Sequence, residues 1–359
     1  MNSEISRPSA IDVAQHAGVS PATVSRVLNN NHHVRESVRA CVLESVATLG
    51  YKVSTTRSSS SSSQKTIALL ITDILNPFFP EIVHGVQDEA KLDNTAMLLC
   101  DSVEDAQWEE KILATISNHS VDGVIVCASR LATQELIAFH DRYHTPMVVI
   151  NRRIGHPEIP CIVVNFASAA YVAGCHLLNL GHTSIAYLAG PSASEASQAR
   201  RQGLEHALQE AGLSLDPELC LPCFPNVEGG FQAASALLSM SPLERPTAIM
   251  AYNDIIAIGA LQAVRAHHLR VPEDISVVGF DDIALAAHTN PPLTTIDQPK
   301  NRLGKLAMRM LRQMIQGETI QGKGYTLVES PLVVRESTGP MRLITEARSL
   351  ERDNSTAFR

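Results

Sequence analysis

The clearest chemical signal lies near the N-terminus, in the segment PATVSRVLN that begins at Pro21. Read as a helix, it places Pro21, Ala22, Ser25 and Arg26 on the face opposite Val24 and Val27. The valines can then pack while the other face enters a DNA major groove. An arginine there can reach guanine O6 and N7 with two hydrogen bonds, and Thr23 and Ser25 can bond phosphates. Elsewhere the chemistry-bearing residues fail the tests for catalysis. The adjacent Asp281 and Asp282 point apart on a helix or turn, so they do not form a working carboxylate pair. His267 and His268 end an amphipathic helix, where the dipole favours them as surface residues. Cys220 and Cys223 in CLPC have no second pair to complete a zinc tetrahedron. There is no Walker loop, GxSxG or HExxH motif. These observations argue against an enzyme, a metal site and a bound cofactor.

The elements that must position the reading face are short helices. Residues 11–49 show helical periodicity in three pieces with no strand-like alternation. The first, IDVAQHA, stops at Gly18, a helix C-terminal signal. The second opens with Ser20 as N-cap and Pro21 at the first helical position, where its missing N–H costs nothing. Two helices joined by AGVS form a helix-turn-helix pattern. The third piece aligns Val38, Val42, Val46 and Leu49 on one face to cover the other two. A serine run, Ser58–Ser63, follows; it cannot bury apolar surface and marks a domain boundary.

Beyond Thr66 the pattern changes to apolar runs alternating with amphipathic stretches. The runs are TIALLIT, TAMLLC, DGVIVC, PMVVI, CIVV, SIAYLAG, TAIMA and ISVVGF. Helical stretches between them include Phe79–Leu92, Asp105–His119, Ser168–Leu180, Gln198–Ala211 and Asn253–His268. Such alternation predicts parallel sheets covered on both faces, and the number of runs predicts two doubly wound lobes with a cleft at their carboxyl ends. Charge follows the same division. Residues 1–65 carry 7 Lys or Arg and 4 Asp or Glu, a balance of +3, leaving 22 bases against 33 acids, or −11, for the rest. Only the head suits a polyanion. No N-terminal stretch reads as a signal peptide and no run spans a membrane, so the expected location is the cytoplasm and no membrane partner is expected. Seven cysteines without an export signal read as free thiols.

The segment IDVAQHAGVSPATVSRVLNNNHHVRESVRACVLESVATLGY resembles the DNA-binding head of the LacI/GalR family of repressors. The body continues the resemblance in ILNPFFPEIVHGVQDEA, VDGVIV, LGHTSIAYLAGP, SQARRQGLEHAL, AYNDIIAIGALQA, VPEDISVVGFDDI and PPLTTIDQP. It covers roughly residues 10–338 and is nearest the ribose- and purine-repressor-like branch. The implied fold is α/β: a three-helix helix-turn-helix domain followed by a two-lobed, periplasmic-binding-protein-like core with two doubly wound parallel sheets. The implied function is a sequence-specific repressor, a homodimer or tetramer, that binds double-stranded operator DNA under the control of a small polar effector. A solute-binding protein for a transporter would share the core but has no use for the head.

By resemblance, Pro21, Ala22 and Arg26 match the base-reading stretch, Thr23, Ser25, Asn29 and His33 match backbone contacts, and Tyr51 matches the start of the hinge. Pro21 and Ala22 offer apolar contacts only, so hydrogen-bonded readout falls on Arg26. In the core, Phe78 and Phe79, with Asn76 beside them, match an aromatic wall of the effector cleft. Arg200 matches a polar anchor, and Asn253 and Asp281 match groups that hold hydroxyls or ring nitrogens. Asn151, Arg152 and Gln298 complete the set. An aromatic face with a carboxylate and a guanidinium suits a sugar or sugar derivative, with a purine as the alternative.

The expected division is a head at 1–52, a serine-rich hinge at 53–65, a core at 66–340 and a disordered tail at 341–359. Within the core, one lobe is expected at about 66–164 and 294–324, the other at about 165–293 and 325–340. Two departures from the family stand out. Family hinges carry an apolar residue that wedges into the minor groove, whereas this hinge holds serines, with Ser60 near the usual leucine, and reads as a flexible tether, with a weak helix folded on DNA and held by Arg57 as the alternative. In VVNFAS, Asn165 and Phe166 stand where the family commonly has Asp-Asn.

Overall fold

The computed structural model describes residues 9–28, 35–49, 64–118, 121–318 and 324–342. Asn29, His33, Tyr51, the serine run and the tail from Leu343 lie outside the described residues, as do the side chains of Ala22 and Ser25. The chain divides into two compact units, residues 1–63 and residues 64–359.

The first unit contains helices α1 (Ala10–His16), α2 (Pro21–Leu28) and α3 (Glu36–Leu49). Ser9 caps α1 in a reciprocal box with Asp12, and the Ser20 hydroxyl accepts the Thr23 N–H at 3.2 Å at the start of α2. Gly18 has φ 66° in the turn between them, a conformation that a side chain would strain. Val13, Ala14, Ala17, Val24, Val27 and Val42 form a small core, with Val46 and Leu49 packed against it.

The second unit is built on two parallel sheets. Its first lobe uses β1 (Thr66–Ile71), β2 (Ala96–Asp101), β3 (Gly123–Cys127), β4 (Met147–Ile150) and β5 (Cys161–Val164), interleaved with α4 (Phe78–Ala90), α5 (Ala106–Asn118) and α6 (Thr133–Tyr143). Its second lobe follows with α7 (Phe166–Asn179), β6 (Ile185–Ala189), α8 (Glu195–Glu210), β7 (Cys220–Pro222), α9 (Val227–Leu238), β8 (Ala248–Ala251), α10 (Asp254–Ala266) and β9 (Ser276–Val278). The chain then crosses through β10 (Thr295–Ile296), returns to the first lobe as α11 (Lys300–Ile315) and β11 (Tyr325–Val328), and reaches its last strand, β12 (Leu332–Val333).

The sheet orders are β11-β5-β4-β3-β1-β2 and β7-β6-β8-β9, with β10 paired antiparallel to β12 where the chain passes between the lobes. Each of the eight apolar runs read from the sequence is a strand. In the first sheet, alternate residues separate cleanly by face. Ile67, Leu69, Ile71, Ile125, Val148 and Ile150 share a core with Ile82, Val86, Leu303 and Leu311 of α4 and α11. Ala68, Leu70, Val124, Val126 and Val149 pack instead with Leu113, Leu136 and Phe139 of α5 and α6. This is the burial on both faces that parallel strands require.

One boundary needs correction. Residues 325–328 were expected in the second lobe, but β11 pairs in parallel with β5, from Tyr325 beside Cys161 to Val328 beside Val164. The exposed edge of β5 is thereby covered, which explains why α11 leads back to that edge. Among the described residues, no helix is long and apolar enough to cross a membrane.

Candidate functional site

In the head, Val24 and Val27 are buried while Pro21 and Arg26, two of the four residues of the predicted reading face, are exposed. Thr23 is half-buried, and its hydroxyl lies 2.9 Å from that of Ser20, the capping residue.

In the core, residues at the carboxyl ends of the two sheets line a cavity. All nine candidates line it: Asn76, Phe78 and Phe79 at the start of α4; Asn151 and Arg152 after β4; and Arg200, Asn253, Asp281 and Gln298 from the second lobe and the crossing strands. Local structure accounts for several of these placements. Asn76 Oδ1 accepts the Phe78 N–H at 3.0 Å and starts α4, holding Phe78 and Phe79 edge to face with ring centres 5.2 Å apart. Asn253 Oδ1 caps α10 by accepting the Ile256 N–H at 2.9 Å, so its amide N–H groups are the part left for the cavity. Asn151 and Asp281 have φ of 62° and 122°, left-handed conformations that cost energy unless their surroundings fix them. For Asp281 the fixing group is Lys300, whose Nζ donates to the carbonyls of Asp281 at 2.7 Å, Asp282 at 2.8 Å and Gln298 at 3.3 Å.

A polar chain crosses the site. Arg200 Nη2 lies 3.5 Å from Asp281 Oδ1, the Gln298 amide donates to the same oxygen at 2.5 Å, and the Asn151 amide reaches Gln298 Oε1 at 3.5 Å. Arg200 also donates to the Tyr252 carbonyl, and its guanidinium sits 3.7 Å from the Phe280 ring centre, 4.6 Å from Tyr252 and 4.8 Å from Phe166. A cation enclosed by three rings and one carboxylate is fixed in orientation and nearly stripped of water. Burial pushes the Asp281 carboxyl up to about 7 even though Arg200 pulls it down. Phe166, the departure from the family pattern, is therefore part of the cage around Arg200. Its neighbour Asn165 caps α7, accepting the Ser168 N–H at 3.4 Å.

Several lining residues had not been singled out from the sequence: Glu104, Ser129, Arg130, Ser194, Glu195 and Tyr252. Arg130 is clamped by Glu104 through two hydrogen bonds of 2.5 and 2.9 Å, and the Tyr252 hydroxyl lies 3.2 Å from that of Ser194. Gly190 gives Tyr252 its place, since a methyl there would strike the ring. Arg152 is largely used within its own lobe, donating to the Ser129 and Leu131 carbonyls and to Thr133 Oγ1, with Glu195 Oε1 3.4 Å from its Nε. Cys220 and Cys223 are free thiols whose pKa burial raises, Cys223 to about 12, which leaves them unreactive. Among the described residues there is no cluster of three or more His, Cys, Asp or Glu that could hold a metal.

The head matches the family described as bacterial regulatory proteins, lacI family, over residues 11–54, and residues 175–338 match the periplasmic binding protein-like domain. The HTH-type transcriptional repressor PurR of Aliivibrio fischeri (strain MJ11) is 36% identical over 339 residues, covering 92% of this chain and 98% of that protein. The chain belongs to the lacI family. Among solved structures, the transcriptional regulator CelR in complex with cellobiose is 30% identical with a TM-score of 0.69, covering 92% of this chain and all of that one. The lac repressor dimer bound to operator and the anti-inducer ONPF is 27% identical with a TM-score of 0.69, over 93% of this chain and all of that one. As a lacI-family protein, the chain is a DNA-binding transcriptional repressor, not an enzyme. Its partners are operator DNA, a small-molecule effector and a second copy of itself.

Proposed function

We propose that this lacI-family repressor acts in the cytoplasm and senses a sugar or sugar derivative in the cleft between its lobes. The observation that carries this reading is the convergence of Phe78, Phe79, Arg200, Asn253 and Asp281 on one cavity at the carboxyl ends of both sheets. An aromatic wall can take the apolar face of a sugar ring, while the carboxylate, guanidinium and amides take its hydroxyls. The similarity to a regulator solved with cellobiose supports the same ligand class. In the head, Arg26 is assigned to base readout, Pro21 and Ala22 to apolar contacts, and Thr23, Ser25, Asn29, His33 and Tyr51 to the DNA backbone and hinge.

A thermal-shift screen of the full chain against sugars, sugar derivatives and purines, followed by operator titrations with each hit, tests the reading. A ligand at a hundred times its Kd stabilises the core by about 2.7 kcal/mol. The expected hit is a sugar-class compound that changes operator affinity and loses its effect in Asp281→Ala. A hit of another class, or one that Asp281→Ala binds normally, overturns the assignment.

A further inference from the structure

Among the described residues, each of four cations at or next to the cavity has a carboxylate within 4 Å. Arg130 is held by Glu104 at 2.5 and 2.9 Å, Arg152 Nε lies 3.4 Å from Glu195, and Arg200 lies 3.5 Å from Asp281. The fourth cation, Lys300, spends its three N–H groups on backbone carbonyls, with Glu81 a further 3.8 Å away. Behind the wall, Glu109 is fully buried and accepts the Arg130 backbone N–H at 2.9 Å, and burial raises its pKa. A phosphate or carboxylate brought into this cavity meets guanidinium groups that each already have a carboxylate beside them, and that like charge remains close by. Like charges at short range in a buried site cost several kcal/mol.

The unsatisfied atoms point to a different ligand chemistry. Asn151 Oδ1, an acceptor, and the Nε–H donors of Arg152 and Arg200 are buried without a hydrogen-bond partner. These three residues are each less than 10% exposed and line the cavity. Buried groups of this kind normally find partners. The matching ligand supplies both a donor and acceptors without a net charge, which is what a set of hydroxyls does.

We propose that the effector is an uncharged polyhydroxylated compound, and that Glu104 and Glu195 exclude its phosphorylated and carboxylated counterparts. The proposal rests on the cleft being the effector site. Neither acid was legible as a specificity residue in the sequence, because each by itself reads as a solvated charge.

The test is calorimetric titration of the full chain with paired probes: ribose and ribose 5-phosphate, glucose and glucose 6-phosphate, glucose and gluconate, adenosine and adenosine 5′-phosphate. The expected result is that the uncharged member of a pair binds at least about a hundredfold more tightly than its charged partner. In Glu195→Gln, whose side chain is 45% exposed, the affinity ratio within a pair should move at least about tenfold towards the charged partner. A wild-type chain that binds a charged member more tightly than its uncharged partner overturns the proposal, as does an unchanged ratio in Glu195→Gln. Failure of the underlying site assignment reads differently: Asp281→Asn and Phe78→Ala would then leave the affinity of every probe unchanged.

Discussion

Replacing Arg200 by methionine keeps most of the bulk among Phe166, Tyr252 and Phe280 and removes the charge. Asp281, 4% exposed, then keeps the Gln298 amide at 2.5 Å as its side-chain partner and loses the guanidinium at 3.5 Å. Burial already places its pKa at about 7, above the ordinary 3.8, against the pull of Arg200, so without that pull the value rises further. For an acid whose folded pKa is raised, stability is fully present below the unfolded value and is lost as pH rises through the folded value. Both proteins therefore lose stability in parallel between about pH 4 and pH 7. Above 7 the wild type levels off, while the variant keeps losing about tenfold in its folding equilibrium per pH unit. Well above that point the gap approaches the roughly 3–5 kcal/mol typical of removing one partner from a buried pair. Urea unfolding at pH 6, 7 and 8 measures this, followed by the fluorescence of Trp108, the single tryptophan, which lies on α5 of the core and so does not report the head. Effector affinity by calorimetry should fall in the same variant. An equal stability gap at pH 6 and pH 8 would refute the claim that Arg200 governs the Asp281 proton, and an unchanged effector affinity would remove Arg200 from the site.

Three further perturbations address other parts of the molecule. Arg26→Ala should weaken binding to the operator by about 1–3 kcal/mol and relax the preference at one base pair per half-site; an equal loss on random DNA in anisotropy titrations would make it a phosphate contact. His182, fully buried between Thr247 Oγ1 at 3.0 Å and Ser276 Oγ at 2.9 Å, has its pKa lowered by burial. Its stabilising contribution is present above about pH 6.5 and is lost as pH falls through the lowered value, so the stability gap between wild type and His182→Asn should shrink on acidification, and a gap constant from pH 7 to 5 would contradict this. Adding one or two serines to Ser58–Ser63 should change operator affinity little if the hinge is a tether acting through effective concentration; loss of binding after a one-residue insertion would mean that the hinge is structured on DNA.

The parts of the fold that could be read in the sequence are those set by local chemistry. The short apolar runs TIALLIT and DGVIVC read as strands buried on both faces, and Ser20-Pro21 after Gly18 reads as a helix start after a turn. Strand β11 could not be read the same way. Its sequence, YTLV, alternates exposed and buried residues, and its place in the first sheet depends on where α11 ends. The site divides similarly. Phe78, Arg200 and Asp281 sit in motifs with distinctive spacing, so the resemblance located them. Glu195 reads locally as an acid in the first turn of α8, suited to the helix dipole. Only the closure of one lobe on the other brings it to Arg152, and no local pattern encodes that meeting. Phe166 was legible as a departure from the family, but its contact with Arg200 depends on the packing of α7 against α8.

The pairing of charges also limits how the effector can signal. Arg152 belongs to the first lobe and Glu195 to the second, so their ion pair at 3.4 Å spans the cleft, and the Arg153 N–H lies 3.4 Å from the same carboxylate. The side chains fill the space down to a cavity of about 40 Å³, room for roughly three water molecules. A ligand shifts a conformational equilibrium by its difference in affinity for the two forms and by nothing else. An uncharged ligand does not compete for the carboxylates, so that difference comes from the atoms without a hydrogen-bond partner: Asn151 Oδ1 and Arg152 Nε on one lobe, Arg200 Nε on the other. Hydrogen bonds to charged groups contribute about 1.5–3 kcal/mol each and neutral ones about 1, which gives roughly 4–7 kcal/mol for the three. Moving a two-state equilibrium from 1:99 to 99:1 requires about 5.5 kcal/mol. Three hydroxyl contacts that bridge the lobes are therefore of the size needed to shift their spacing, and because the chain crosses between the lobes at β10 and β12, that spacing is the coordinate through which occupancy can act.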